Sequence, residues 1–402
     1  MKIGRFARRS VPTESASADQ VSPSGSHRAA ALIVSALILL AAFVVAAPYI
    51  SSALKEGYSI LSGSTTTGPS TQASSGQLNS SSVSSTTSNT STAQCSSVVS
   101  VENLAAPEIN NGSADVTYPS DYCTLASYAL GLINQDRAAN GTGPVTLDYN
   151  QAAQQHADSM LYYGYFSHFD TQGYKPYMRY TLLGGVGADF ENVAYFYYSL
   201  PHFLSTGSVE TAIQALERSM VYNDSACCSN GHRYNILDPL HNKVSIGVAY
   251  TSTYVYFDEE FENDYINLTF AVTAPTVSNP NYVTMAGVPT RTVTPPNSIY
   301  VAYDGTPNAT TPAELNAGPH EYGPGTLIGG VLPQNGFFGG CNQFSSGTTV
   351  CADKWTFNAS VVDIAFTLQP FVKEYGPGVY TIYLITGSST ESAITSISVF
   401  VA

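Results

Sequence analysis

The stretch "GHRYNILDPLHNKVSIGVAY" at residues 231–250 decides the fold of the middle of this 402-residue chain. Its second half, "KVSIGVAY", is rich in β-branched and small residues with near period-two alternation, which predicts a strand. Two further stretches precede it, "YFSHFDTQGYKPYMR" at residues 165–179 and "FENVAY" at residues 190–195. Each of the three stretches carries a histidine or a glutamate, side chains that bind metals and transfer protons. We therefore expect one domain with a candidate site.

Helical patterns lie before and between these stretches. "LASYALGLINQDRAANG" (125–141) has apolar residues at helical spacing and ends at an Asn-Gly stop, and "DYNQAAQQHADSMLYYGYF" (148–166) contains Gly164 as its breaker. "SVETAIQALERSMVY" (208–222) predicts a third helix with Ser208 as the N-cap. Strand-like runs follow up to about Ala274. Helices followed by antiparallel strands indicate an α+β layered domain.

Together with "LINQDRAANG" and "AAQQHADSM", these stretches resemble the CAP superfamily (the SCP, cysteine-rich secretory, antigen 5 and pathogenesis-related class), particularly its prokaryotic members. The resemblance implies an α-β-α sandwich with a wide cleft that two histidines and two glutamates face. By motif, His168 in "FSH", Glu191 in "FENV" and His232 in "GHR" match three of these positions. Glu217, in the helix before "GHR", is the best candidate for the fourth.

Two chemistries and one structural role fit these residues. Two imidazoles with carboxylates are ligand types that Zn²⁺ accepts, so His168 and His232 are the candidate ligands of a reversible zinc ion, with Glu191 as a second-shell acceptor. A metal-dependent hydrolase using the same cleft is the alternative, although no H-E-x-x-H motif or nucleophile elbow supports a catalytic assignment. In the structural interpretation, hydrogen bonds from His168 and His232 to Glu191 hold their loops in place, while Arg179 and Arg233 form ion pairs that fix loops. His156, His202 and His241 are expected to serve packing or the surface.

The charge pattern excludes one class of partner. The chain has 15 basic and 29 acidic residues, and five of the bases precede residue 29. The acidic remainder argues against nucleic acid as a partner. A dense acidic run between two strands predicts a solvated hairpin, with Ca²⁺ capture as the minor alternative; it comprises Asp258, Glu259, Glu260, Glu262 and Asp264.

The N-terminal segments predict a tethered protein. Residues 1–28 form a basic leader, and residues 29–50 are uncharged and long enough to cross a bilayer as a signal-anchor helix. Residues 51–94 are a Ser/Thr-rich stalk, and eight glycosylation sequons follow the apolar segment. We expect a single-pass membrane protein with its N-terminus inside and its domains extracytoplasmic, or a secreted protein if the segment is cleaved.

Six cysteines lie beyond the apolar segment, where an oxidising compartment permits disulfides. Cys341 with Cys351 and Cys95 with Cys123 are plausible pairs. Cys227 and Cys228 are open to a vicinal bridge, free thiols or other partners.

The remaining residues predict a second domain. We assign 95–274 to the CAP-like domain and 275–402, with about seven short strands, to an all-β immunoglobulin-like sandwich. The expected function is a non-catalytic binding or interaction module with a metal-capable His/Glu cleft. The expected partners are the membrane, through the N-terminal helix, and a lipid or surface polymer as ligand. A lipid- or sterol-binding groove lined by Tyr195, Tyr197 and Tyr198 is a further alternative.

Overall fold

The computed structural model describes Cys95 and residues 119–201, 204–272, 281–334, 340–387 and 390–402, all of which belong to one compact unit. The predicted leader, membrane segment and stalk lie outside these residues, apart from the single cysteine. Within the described part of the chain, no helix has the length and hydrophobicity to span a membrane. The five sequon asparagines that fall inside it are all exposed: Asn140, Asn223, Asn267, Asn308 and Asn358.

The helices and strands follow one another in two parts. The first part contains α1 (Tyr122–Ala139), β1 (Thr146–Leu147), α2 (Ala152–Tyr163), α3 (Pro176–Leu182), β2 (Ala188–Tyr197), α4 (Thr206–Tyr222), α5 (Ser225–Cys228), α6 (Gly231–Ile236), β3 (Lys243–Tyr250) and β4 (Tyr254–Asn263). The second contains β5 (Ile266–Val272), β6 (Tyr282–Pro289), β7 (Ser298–Asp304), α7 (Pro312–Ala317), β8 (Thr326–Leu332), β9 (Thr348–Cys351), β10 (Lys354–Asn358), β11 (Val361–Thr367), α8 (Gln369–Tyr375), β12 (Gly378–Ile385) and β13 (Ala393–Val401).

The predicted helices are present, with local differences at their ends. Asn140 ends α1, and Gly164 ends α2 in the left-handed conformation that glycine tolerates. The N-cap of α4 is Ser205, three residues before the predicted Ser208, because the Ser205 hydroxyl accepts the Ser208 N–H. The helix therefore gains one turn over its predicted length.

The first part has three layers, of which the middle one is a sheet with the strand order β1-β3-β4-β2. One face carries Val244, Ile246 and Phe257, which pack with buried residues of α1 and α4. On the other face, a Cβ at Gly247 would collide with the Ala153 carbonyl, so the glycine lets α2 lie directly on β3. Helices therefore cover both faces of the sheet, as the resemblance implies.

The second part consists of two sheets that share one apolar core. Their strand orders are β10-β11-β6-β5 and β13-β12-β7-β8-β9. Met285 and Phe366 of the first sheet belong to the same buried cluster as Val301 and Ile382 of the second. This arrangement is consistent with a β-sandwich.

Two features of the second part differ from the sequence interpretation. The strand β5 follows β4 after two residues but pairs with β6, so it belongs to a sheet of the second part. Residues 312–317 and 369–375 form helices where no helix was expected. The helix Pro312–Ala317 begins with a capping box, because the Thr311 hydroxyl accepts the Glu314 N–H and the Glu314 carboxylate accepts the Thr311 N–H.

Polar contacts join the two parts. The Asp304 carboxylate accepts hydrogen bonds from Lys175 Nζ and Tyr177 Oη, each at 2.7 Å. The Asn316 side chain accepts the Phe166 N–H at 2.9 Å and donates to the Gly164 carbonyl at 3.1 Å. The segment that contains α7 thus lies over the loop that carries the first histidine motif.

Candidate functional site

The centre of the site is the pair formed by His168 and Glu191. His168 lies in the loop after α2, and Glu191 lies on β2 with its side chain on the face covered by α2 and α3. The His168 Nδ1 is 2.7 Å from Glu191 Oε1, and both side chains are buried. The structural interpretation predicted that Glu191 anchors both histidines; the contact is present for His168, whereas the Nδ1 of His232 lies 2.6 Å from Asp224 Oδ1.

Arg179 of α3 completes this centre. Its guanidinium donates to the His168 carbonyl at 2.9 Å and the Tyr174 carbonyl at 3.1 Å, and it also pairs with Glu191 Oε2. Burial alone would raise the pKa of Glu191, but Arg179, His156 and the hydrogen bond from His168 together hold that pKa below its ordinary value. Arg179 therefore fixes the motif loop, as expected, and keeps Glu191 ionised.

Tyr322 of the second part covers the pair. Its hydroxyl accepts the Glu191 backbone N–H at 2.9 Å, and its ring centroid is 4.9 Å from that of His168. Tyr322 is only 8% exposed. The His168 ring is therefore in contact with a side chain of the second part.

Replacing Tyr322 by Phe is expected to destabilise the protein by about 1–3 kcal/mol, because the buried Glu191 N–H loses its acceptor. Urea denaturation measures the loss, with Tyr282→Phe on an exposed tyrosine as the control. Equal stability of Tyr322→Phe and wild type would contradict the contact.

The acidic run is not a solvated hairpin, and this prediction was wrong. Asp258, Glu259, Glu260 and Glu262 lie on β4 in the middle of the sheet, and each is 0% exposed. Glu260 pairs with Glu191 across the two strands, and Asp258 pairs with Val193. The carboxylate oxygens of Asp258 have no hydrogen-bond partner among the described residues, and burial raises the pKa of this carboxyl well above the ordinary value.

His156 is a residue of the site that sequence reasoning assigned to packing or to the surface. It is buried on α2, its Nε2 lies 2.8 Å from the Ser167 carbonyl, and the same nitrogen lies 4.0 Å from Glu191 Oε2. Burial and then Arg179 lower the pKa of His156 to about 3, so the ring is neutral. His156, Glu191 and Asp258 form one group able to hold a metal ion. The only feature of the sequence that could have pointed to His156 as a site residue is its place in the "AAQQHADSM" motif.

His232 lies in a different environment from His168. Its Nδ1 is 2.6 Å from Asp224 Oδ1, and Asp224, Cys227, Cys228 and His232 form the second potential metal-binding group of the described residues. Neither of the two groups contains both histidines. His168 belongs to neither of these groups of the described residues. The zinc ion held by His168 and His232 stays a prediction of the sequence.

Glu217 is separated from Glu191 by the sheet. Successive strand residues point to opposite faces, so Asn192 points away from the side that Glu191 occupies. Asn192 Nδ2 lies 3.2 Å from Glu259 Oε2, and Glu259 neighbours Glu217 beneath α4. Burial, and then the charge of Glu259, raises the pKa of Glu217 well above its ordinary value. Glu217 is thus a buried acid beneath α4, away from the His168 pair.

The remaining residues that the sequence singled out lie elsewhere. His241 is buried between Asn263 and Asn235, at 2.8 and 2.9 Å, and His202 lies outside the described residues. Arg233 donates to the Val221 carbonyl at 2.6 Å and to Asn140 Oδ1 at 2.7 Å, so hydrogen bonds to neutral groups hold its loop in place of the expected ion pair. All six cysteines are paired, in the bonds Cys95–Cys123, Cys227–Cys228 and Cys341–Cys351. The two pairs that the sequence favoured are confirmed.

One comparison with known proteins, the match to a family model, agrees with the motifs. Residues 130–266 match the sequence model of CAP, the cysteine-rich secretory protein family. No curated protein matches the chain. Among solved structures, the CAP domain of enterococcal PrgA is similar at 14% identity and a TM-score of 0.25, and the alignment covers 45% of this chain and 80% of that one. The motif-bearing part of this chain, residues 130–266, is a CAP domain.

Proposed function

We propose that the chain is a single-pass, extracytoplasmic membrane protein whose CAP domain is a non-catalytic binding module. One observation carries the proposal: both carboxylate oxygens of Glu191 and its backbone N–H bond to the chain itself. Glu191 is held by His168, Arg179 and the Tyr322 hydroxyl, and none of its polar groups is left to activate water. The basic leader and the uncharged segment 29–50 support the tether, and the acidic exterior supports a partner other than nucleic acid.

The C-terminal part is proposed to serve as an immunoglobulin-like spacer or interaction module. Its two sheets and shared core support a sandwich, and its contacts with Gly164 and Phe166 support a role in holding the CAP domain in place. Fold alone does not give it an activity.

A peptidase assay tests the non-catalytic role against the metal-dependent hydrolase. We expect the full-length chain, purified in mild detergent and supplied with Zn²⁺, to release no peptides from casein or a peptide library. His168→Ala is expected to lower only the melting temperature, because it removes a buried partner of Glu191. Hydrolysis by the wild type that is lost in Glu191→Gln would establish the enzyme instead.

A lipid- or sterol-binding role is the second candidate, and an exposed aromatic strip favours it. Tyr195 and Tyr197 of β2 are 45% and 54% exposed, and their ring centroids lie 6.4 and 5.0 Å from that of Tyr254 on β4. Aromatic side chains with a polar tip suit a surface that is partly apolar and partly wet. Tyr198 differs, because it packs against Phe196 and donates to the Ser208 carbonyl.

Uptake of a labelled sterol or fatty acid by the delipidated full-length chain tests this role. Binding that falls at least tenfold in a Tyr195→Ser, Tyr197→Ser variant would support it. Tyr234→Ser, on an exposed tyrosine of α6, is the matched control. Equal uptake by all three proteins, or no uptake, would remove the lipid role.

A further inference from the structure

The group formed by Asp224, Cys227, Cys228 and His232 combines four potential ligands of three chemical types at one accessible place. One ligand atom from each residue lies within 4.8 Å of the other three. The chain turns back between the cysteines and the histidine through Ser229 and Asn230, two consecutive residues in left-handed conformations. Cys227 is exposed and Cys228 half-buried, so reagents in solution reach the pair.

Asp224 orients His232. Its Oδ1 lies 2.6 Å from His232 Nδ1, and its Oδ2 accepts the Arg233 N–H at 3.3 Å. A carboxylate on one ring nitrogen fixes the ring and leaves the other nitrogen as the metal ligand, which is the usual arrangement around metal-binding histidines.

The oxidation state of the cysteines decides whether the donor set is complete. In the Cys227–Cys228 disulfide neither sulfur carries the thiolate charge that a zinc-class ion needs. A phosphine or dithiol reductant supplies two electrons, which break the S–S bond, and the two sulfurs take up two protons. Metal binding to the dithiol then displaces those protons.

We propose that the dithiol form of this loop binds one thiophilic divalent cation of the zinc class through Cys227, Cys228 and His232, with Asp224 holding the imidazole. The donor set of two thiolates and one imidazole matches the ligands of tetrahedral zinc. The oxidised loop offers one histidine and one carboxylate and does not hold the ion. Reduction therefore creates the site, which is independent of the binding role proposed above.

Cobalt titration of the full-length chain tests the proposal. The protein is reduced with a phosphine, desalted without oxygen and titrated with Co²⁺, whose thiolate charge-transfer absorption reports sulfur ligands. We expect one ion per reduced chain, displaced by Zn²⁺, and no charge-transfer band in the oxidised chain. This comparison uses the wild type alone, so it does not depend on the folding of a variant.

Variants then assign the ligands. Cys227→Ser with Cys228→Ser should abolish the band, whereas Cys341→Ser with Cys351→Ser, which removes the other partly exposed pair, should leave it unchanged. Asp224→Asn should weaken binding about 10- to 100-fold. A reduced wild type without the band, or a band that survives the loss of Cys227 and Cys228, would overturn the proposal.

Discussion

Replacing Arg179 by methionine is expected to destabilise the protein by about 3–5 kcal/mol, the cost of leaving a buried carboxylate without its partner. Arg179 is 1% exposed and pairs with Glu191, and its Nη2 lies 3.9 Å from Glu260 Oε1. A domain stability of about 5–15 kcal/mol makes this loss large enough to show in urea denaturation at pH 7. Arg218→Met on the exposed surface of α4 is the matched control, expected within about 0.5 kcal/mol of wild type.

The double variant Arg179→Met, Glu191→Gln identifies the cause. With the Glu191 charge also removed, most of the lost stability should return, because an uncharged pair no longer carries an uncompensated ion. The remaining deficit reflects the hydrogen bonds from Arg179 to His168 and Tyr174. A double variant as unstable as Arg179→Met would show that the Glu191 charge is not what Arg179 balances.

The second large effect is a loss of stability as the pH rises from 7 to 9. Burial raises the pKa values of four carboxyls on the α2/α3 face well above the ordinary value: Asp189, Asp258, Glu260 and Glu262. The unfolded chain releases these protons near pH 4. Their stabilising contribution is complete below that pH and is lost as the pH rises through the folded pKa values, by about 1 kcal/mol per pH unit for each carboxyl that stays protonated.

The titratable groups around these carboxyls keep their charge state between pH 7 and 9. Arg179 from α3 and Glu191 from β2 are charged throughout this range, and Tyr322 from the second part has a pKa raised well above its ordinary value by burial. Burial lowers the pKa of His156, on α2, to about 3 and that of His241 to about 4. The stability that these two neutral, buried histidines contribute is lost only as the pH falls below about 6.5, where the histidines of the unfolded chain take up protons. Between pH 7 and 9 the buried carboxyls therefore dominate.

Melting temperatures of wild type and Asp258→Asn across this range measure the effect. The variant should melt at a higher temperature than wild type at pH 9, because the asparagine cannot ionise, and its curve should be flatter. Asp353→Asn, on an exposed aspartate, should follow the wild type. A wild type equally stable at pH 7 and pH 9 would contradict the buried position of the acidic strand.

The sequence was most informative where local chemistry decides the structure. Helix ends at Asn140 and Gly164 and the strand "KVSIGVAY" depend on nearest neighbours, and five ordered motifs were enough to predict the CAP domain. The pairing of His168 with Glu191 was also within reach, since both stand in motifs.

The rest depends on contacts distant in sequence. An acidic run in a sequence indicates a solvated surface, because the strands and the buried arginine that surround it are not visible in the run itself. The position of Glu260 on β4, between β2 and β3, could therefore not be predicted. Tyr322 contacts Glu191 across 131 residues and stands in no motif. The separation of His232 from His168 follows from the placement of the loop beside Asp224, which motif order does not specify.

The central claim is that His168 and His232 act separately, His168 as a buried partner of Glu191 and His232 beside Asp224. Calorimetric titration of the fully oxidised full-length chain with Zn²⁺ tests it most directly, on wild type, His168→Ala and His232→Ala. We expect all three proteins to give the same trace, with His168→Ala differing only in its lower melting temperature. One Zn²⁺ bound by the wild type and lost in both variants would contradict the claim, because it would require a single centre that contains both histidines.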